Sequence, residues 1–178
     1  DTMKHIDYTI VNPIDLSNEL QNDICARCHL QGNAVLQEGK TFFDFKPGMY
    51  LNNIMDVYLP RYEGLNNKFI MASHVDRMKL SKCYVNSNEE MTCISCHNPH
   101  VSVKEMTPDY FNNKCFSCHL ESSCSESDLE QHDNNCISCH MPNSHTLDIP
   151  HVTITDHKIG IYHANHELIE IHNDTVFL

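Results

Sequence analysis

Four copies of Cys-x-x-Cys-His punctuate the chain: Cys25-Ala-Arg-Cys28-His29, Cys93-Ile-Ser-Cys96-His97, Cys115-Phe-Ser-Cys118-His119 and Cys136-Ile-Ser-Cys139-His140. This pentapeptide is the attachment sequence for c-type haem: the two thiols add across the haem vinyl groups, and the adjacent histidine becomes the proximal iron ligand. Cys-x-x-Cys alone also fits a redox dithiol or half a zinc site. Here every copy carries the following histidine, although histidine is only 14 of 178 residues. Four chance matches have a probability on the order of 1 in 25,000, and zinc gives no reason for a histidine at that place. The motifs predict four covalent haems c, attached through Cys25, Cys28, Cys93, Cys96, Cys115, Cys118, Cys136 and Cys139. His29, His97, His119 and His140 are the predicted proximal ligands.

Such a count changes what the rest of the composition means. The length suits one domain, but there is no Trp and aromatics are only 8% of the chain. A conventional core would be thin. Four haems supply large apolar faces, and their thioether bonds staple the fold much as disulfides do in small secreted domains. The expected fold class is a multihaem cytochrome c: short α-helices and irregular loops packed around four covalent haems, with little β structure.

Haem attachment to paired cysteines takes place outside the reducing cytosol, so a periplasmic or extracellular location is expected. Of ten cysteines, Cys83 and Cys124 lie outside the motifs. An even remainder in an oxidising compartment points to a disulfide between them, the alternative being a sulfur ligand or redox thiol. No signal peptide and no apolar run long enough to span a membrane is present. Because the chain begins at Asp1 rather than Met, an upstream segment is expected to have been removed or to be missing. The formal charge of −12, made more negative by haem propionates, argues against nucleic acid or an anionic membrane as partner. It is compatible with a basic redox protein, and equally with an ordinary secreted surface.

The first motif stands apart: 64 residues separate Cys28 from Cys93, whereas Cys93, Cys115 and Cys136 follow at steps of 22 and 21. The chain therefore reads as one tetrahaem domain over 1–178, with a haem 1 segment (1–72), a compact three-haem segment (73–160) and a tail (161–178). In the long gap, Gly39 and Gly48 with Pro47 predict turns around Phe42, Phe43 and Phe45, which read as haem packing. Asn53 to Leu59 reads as a short helix ended before Pro60. Ser73 to Ser81 reads as a helix with Ser73 as N-cap and His74 and Met78 on one face. Ser125 to His132 reads as an acidic surface helix. After Pro150, His151-Val-Thr-Ile-Thr and Glu167 to Asn173 favour strand, forming a hairpin or pairing with another chain.

Ten histidines outside the motifs are available as distal ligands, and eight methionines offer His/Met ligation instead. His100 lies three residues from His97. Three residues span at most about 11 Å, whereas trans ligands of one haem place their Cα atoms roughly 12–13 Å apart. His100 is thus better placed to ligate a neighbouring haem than its own. Met141 directly follows His140 and cannot reach the opposite face of that haem. His74 on its helix, His151 after Pro150, and His157 beside Asp156, a potential imidazole partner, are the other main candidates. His145 ranks lower, and His5, His132, His163, His166 and His172 read as surface histidines.

The order Cys25-Ala-Arg-Cys28-His29-Leu-Gln-Gly32, Asp44-Phe-Lys-Pro-Gly-Met49, Ser73-His74, Ser81-Lys-Cys83-Tyr84, Thr92-Cys-Ile-Ser-Cys-His-Asn-Pro-His100, Cys136-Ile-Ser-Cys-His-Met-Pro142 and Ile149-Pro-His151 through Thr155-Asp-His157 resembles the multihaem cytochrome c module of bacterial proteins that often carry tetratricopeptide repeats. It is more distantly similar to the tetrahaem cytochromes of ammonia oxidisers. The resemblance covers roughly residues 10 to 160. It implies distal ligation by His74, His100, His151 and His157, and a structural pairing of Cys83 with Cys124. Those proteins usually have a further haem-bearing segment upstream. No tetratricopeptide pattern is present, and the tail from His163 lies outside the match.

The functional expectation is electron transport along closely spaced bis-histidine haems, in an electron-transfer protein rather than an enzyme. The alternative is a multihaem oxidoreductase acting on a small nitrogen or sulfur species at an open-coordinate haem. A third reading polymerises the chain into an extracellular haem filament, with His5, His163, His166 or His172 ligating a haem of the next subunit and the tail adding a strand.

Overall fold

The computed structural model describes residues 10–61, 70–71, 73–120, 124, 135–147 and 149–162. Helix α1 (Asn18–His29) starts at Ser17, whose Oγ accepts from Leu20 N, and ends with Arg27 and His29 in its last turn. The cationic Arg27 there suits the negative end of the helix dipole. Strands β1 (Asn33–Leu36) and β2 (Met55–Tyr58) form an antiparallel ribbon, with Asn33 opposite Tyr58 and Leu36 opposite Met55. Between them Gly39 (φ +71°) and Gly48 (φ +91°) take left-handed conformations, as the turn expectation required.

The span expected as a helix, Asn53 to Leu59, is instead a 3₁₀ turn (Leu51–Asn53) followed by β2. Main-chain pairing to β1 overrides local preference, and Gln37 reinforces it: its N–H donates to Ile54 O at 2.9 Å and its Nε2 to Asn52 O at 2.9 Å. Asp23 on α1 accepts from Leu51 N at 2.9 Å, which fastens the ribbon to the helix.

Helix α2 (His74–Lys79) follows Ser73 as expected, although the Ser73 hydroxyl makes no capping bond. Helix α3 (Lys82–Asn86) is capped by Ser81, which is fully buried; its Oγ donates to Met78 O at 2.7 Å and accepts from Tyr84 N at 3.2 Å. Then come α4 (Cys93–Cys96), α5 (Pro108–Phe116) and α6 (Cys136–His140). Strands β3 (Asn143–His145) and β4 (Thr153–Thr155) form a second antiparallel ribbon. The expected strand at 151–155 is thus shortened to its last three residues, with His151 in the turn before it. The helix expected at Ser125 to His132 and the strand expected at Glu167 to Asn173 lie outside the described residues.

Helix α1 packs on α2 and α4, α4 on α5, and α5 on α6. The main apolar cluster is small: Ala26, Leu51, Met55 and Val75, with Leu30, Leu36, Phe45 and Val57 against it. Among the described residues 16 large hydrophobic side chains are exposed against eight hydrophobic ones buried. The polypeptide alone therefore buries little, in keeping with helices and loops built to enclose something other than side chains. Phe43 is 92% exposed. Phe42 carries Arg27 over its ring at 5.3 Å, and Arg27 Nη2 also donates to Phe42 O at 2.8 Å.

Candidate haem centres

In an α-helix, positions i, i+3 and i+4 share one face, so helical Cys-x-x-Cys-His presents two thiols and an imidazole together. Motif 1 is the last turn of α1. Motif 2 fills α4, with His97 directly beyond it. Cys115 lies in the last turn of α5, with Cys118 and His119 just after. Motif 4 is α6 itself.

The motifs touch one another through side chains that sequence reading overlooked. Asn22, 2% exposed on α1, accepts from Cys93 N at 3.0 Å, and its Nδ2 donates to Met91 O at 3.4 Å. Asn112, 4% exposed on α5, accepts from Cys136 N at 3.1 Å. Cys93 Sγ donates to Asn22 Oδ1 at 3.4 Å. The neighbouring Cys93 thiol lowers the Cys25 pKa to about 7, while Cys25 and then burial push Cys93 up. Burial is the main reason Cys115 is pushed up to about 11.

Four imidazoles converge. The ring centroids of His29 and His74 are 5.5 Å apart at 87°, those of His74 and His157 4.6 Å at 80°, and those of His97 and His157 6.1 Å at 25°. Burial, followed by neighbouring imidazoles, pushes the pKa of His74 and His97 down and that of His157 down to about 4. These rings are held neutral, the form that ligates a metal. His157 Nδ1 lies 3.0 Å from Thr155 O and His140 Nδ1 2.8 Å from Gly160 O. A carbonyl only accepts, so both rings donate from Nδ1 and leave the Nε2 lone pair free.

Asp156 is not the partner of the His157 imidazole. Its carboxylate takes Arg77 Nε at 2.8 Å and Nη2 at 2.6 Å, with both side chains 4% exposed. Asp156 meets Arg77 and His157 meets His74, both on α2, with His97 on the far side of the His157 ring. The ion pair thereby ties the helix bearing His74 to the loop bearing His157.

Elsewhere the predicted ligands are at the surface. His100 is exposed on a turn, its N–H donating to Asn98 Oδ1 at 3.0 Å. His119, His145 and His151 are exposed, and His151 has φ +63°. His5, His132, His163, His166 and His172 lie outside the described residues. Cys83 and Cys124 are both free rather than joined. Cys83 is half-buried within electrostatic range of Cys118 and Cys96, whereas Cys124 is exposed beside Cys136.

The donor set fits haem c. Paired thiols with an adjacent histidine would attach the group, and His29, His74, His97 and His157, gathered at 4.6–6.1 Å between neighbouring rings, would offer imidazoles to its iron.

A family described as the doubled CXXCH motif matches residues 86–123, which hold motifs 2 and 3. No curated protein and no solved structure matches the chain. Among the described residues no helix is long and apolar enough to cross a membrane. The likeness to tetratricopeptide-bearing and ammonia-oxidiser cytochromes therefore rests on the residues that carry it alone. The doubled motif supports a multihaem c-type cytochrome module with covalently bound haem c.

Proposed function

We propose that this chain is a tetrahaem c-type cytochrome, a single domain over 1–178, that carries electrons along closely spaced bis-histidine haems in the periplasm or outside the cell. Its partners are redox proteins. The observation that carries this reading is the convergence of His29, His74, His97 and His157, at 4.6–6.1 Å between neighbouring rings, on motifs with the attachment sequence. We assign His29 with His74 to one iron and His97 with His157 to a second. His119 and His140 are the proximal ligands of the other two, with His100 and His151 as their distal ligands. Cys83 and Cys124 are kept as a pair that oxidation would join.

When bound, haem c supplies a one-electron iron(III)/iron(II) couple. The chain's own residues bind, orient and tune. The Thr155 and Gly160 carbonyls hold two imidazoles in the ligating tautomer. Arg77 and Asp156 keep His74 and His157 in register. The excess of negative charge, −12 overall, favours the ferric state and lowers the potential.

Intact mass and low-temperature EPR of the oxidised protein test the reading. Four covalent haems and exclusively low-spin ferric signals are expected. A high-spin signal that shifts with added nitrite would make the chain an oxidoreductase with an open-coordinate haem instead. Filaments in electron micrographs would add polymerisation through terminal histidines; monomers at high concentration would exclude it.

A further inference from the structure

Beyond the shared pentapeptide, the motifs fall into two alternating kinds. Motifs 1 and 3 read Asn-x-x-Cys-x-x-Cys-His-Leu, at Asn22 to Leu30 and Asn112 to Leu120. Motifs 2 and 4 read Cys-Ile-Ser-Cys-His-x-Pro, at Cys93 to Pro99 and Cys136 to Pro142. The structure repeats the alternation. In both cases the asparagine lies three residues ahead of its motif, is at least 96% buried, and accepts the first N–H of the next motif's helix, at 3.0 Å and 3.1 Å. Those recipient helices span only Cys93–Cys96 and Cys136–His140. Helices so short do not persist alone, and their leading N–H groups need partners from outside. In both couples the first motif thereby reaches the first cysteine of the second, Asn22 to Cys93 and Asn112 to Cys136. The 64-residue gap after motif 1 is thus an insertion within a couple: it holds the β1–β2 ribbon and α2–α3, and the chain returns to α1 at its end.

We propose that the chain is a tandem of two two-motif units, 1 with 2 and 3 with 4, and that buried Asn22 and Asn112 are positioning residues that each lock the second motif's helix onto the first. Each unit is its own structural and redox couple; its redox part rests on haem attachment at all four motifs. The α4–α5 contact, with the His97 and Phe111 rings 5.6 Å apart, joins the couples end to end. Haem order along the molecule then follows chain order, with motifs 1 and 4 as its two ends.

The test uses the haem-loaded protein and the variants Asn22→Leu and Asn112→Leu, with Asn22→Asp and Asn112→Asp, which keep the acceptor oxygen, as rescue variants. Amide hydrogen exchange read by mass spectrometry should rise at least tenfold over 92–97 in N22L and over 135–140 in N112L, each leaving the other segment unchanged. Redox titration should shift two of four midpoints in N22L, the other two in N112L, and all four additively in the double variant. The aspartate variants should restore protection; they also serve where a leucine variant fails to fold. Exchange that rises in both segments in either variant, or in neither, would overturn the proposal. So would a shift spread over all four midpoints by one substitution. A wild-type mass without four haems would instead overturn the cytochrome reading, while the exchange result would still judge the clasps.

Discussion

Arg77 and Asp156 bring opposite charges into a contact where each side chain is only 4% exposed, with two hydrogen bonds of 2.8 Å and 2.6 Å. Removing one partner of such a pair leaves a buried charge unmatched and costs about 3–5 kcal/mol, whereas replacing both by apolar groups costs far less. Asp156→Asn should therefore lower the urea midpoint sharply, and Arg77→Met with Asp156→Leu should recover most of the loss; equal losses in the single and double variants would refute the pairing. Because the pair bridges the His74 helix and the His157 loop, its effect should reach the iron sites. His157→Ala tests those sites directly: EPR should show one of the haems turning from low-spin to high-spin with no change in covalent haem number. What was legible here was residue chemistry. The pentapeptide names its own thiols and imidazole, and His74 and His157 stood out among the histidines. The Asp156 role did not, because its partner lies 79 positions away. The asparagines ahead of motifs 1 and 3 were visible as letters, but nothing local says that a buried amide caps a helix in another motif.

Elements in this chain are short, and each leans on a neighbour. Ser81 is the plainest local case: fully buried, it both caps α3 and closes α2 through its hydroxyl. Ser81→Ala should cost about 1–2 kcal/mol, read as a lower thermal midpoint with the haem spectrum unchanged. Gly32 shows a tertiary constraint. A Cβ there would meet Tyr58 O at 2.7 Å and Val57 Cγ1 at 2.8 Å, where the exit from motif 1 crosses β2. Backbone must move to admit it, so Gly32→Ala should destabilise by about 1–3 kcal/mol; a neutral result would mean that the ribbon is not seated on that exit. The helix at His74–Lys79 was legible because its start signal and apolar face are local. The strand at Met55–Tyr58 was not. The four residues Met-Asp-Val-Tyr are too few to carry a period of their own, and only the arrival of β1 decided between helix and strand.

At the scale of the whole molecule, the main apolar cluster among the described residues, Ala26, Leu51, Met55 and Val75, is small. Hydrophobic burial scales with area removed from water, and here much of that area is expected to lie against haem. Expressed without haem attachment, the chain should show no cooperative thermal transition by circular dichroism and a reduced denaturant slope; a sharp transition equal to that of the loaded protein would show that the polypeptide core suffices. The sequence by itself determined the chemistry it encodes: an attachment motif that indicates covalent haem c, a chain rich in short elements, and an acidic composition. Those properties reside in residue types and in spacings of three or four, which a helix turns into a shared face wherever it lies. Which motif stands against which was decided only by the tertiary structure. Spacing along the chain set motif 1 apart and grouped the other three; α4 does pack on α5 and α5 on α6, and α1 packs on α4 as well. The reason is that a buried asparagine satisfies an N–H by distance in space. The chain between them can loop out through a ribbon and two helices at a closure cost that grows only slowly with length.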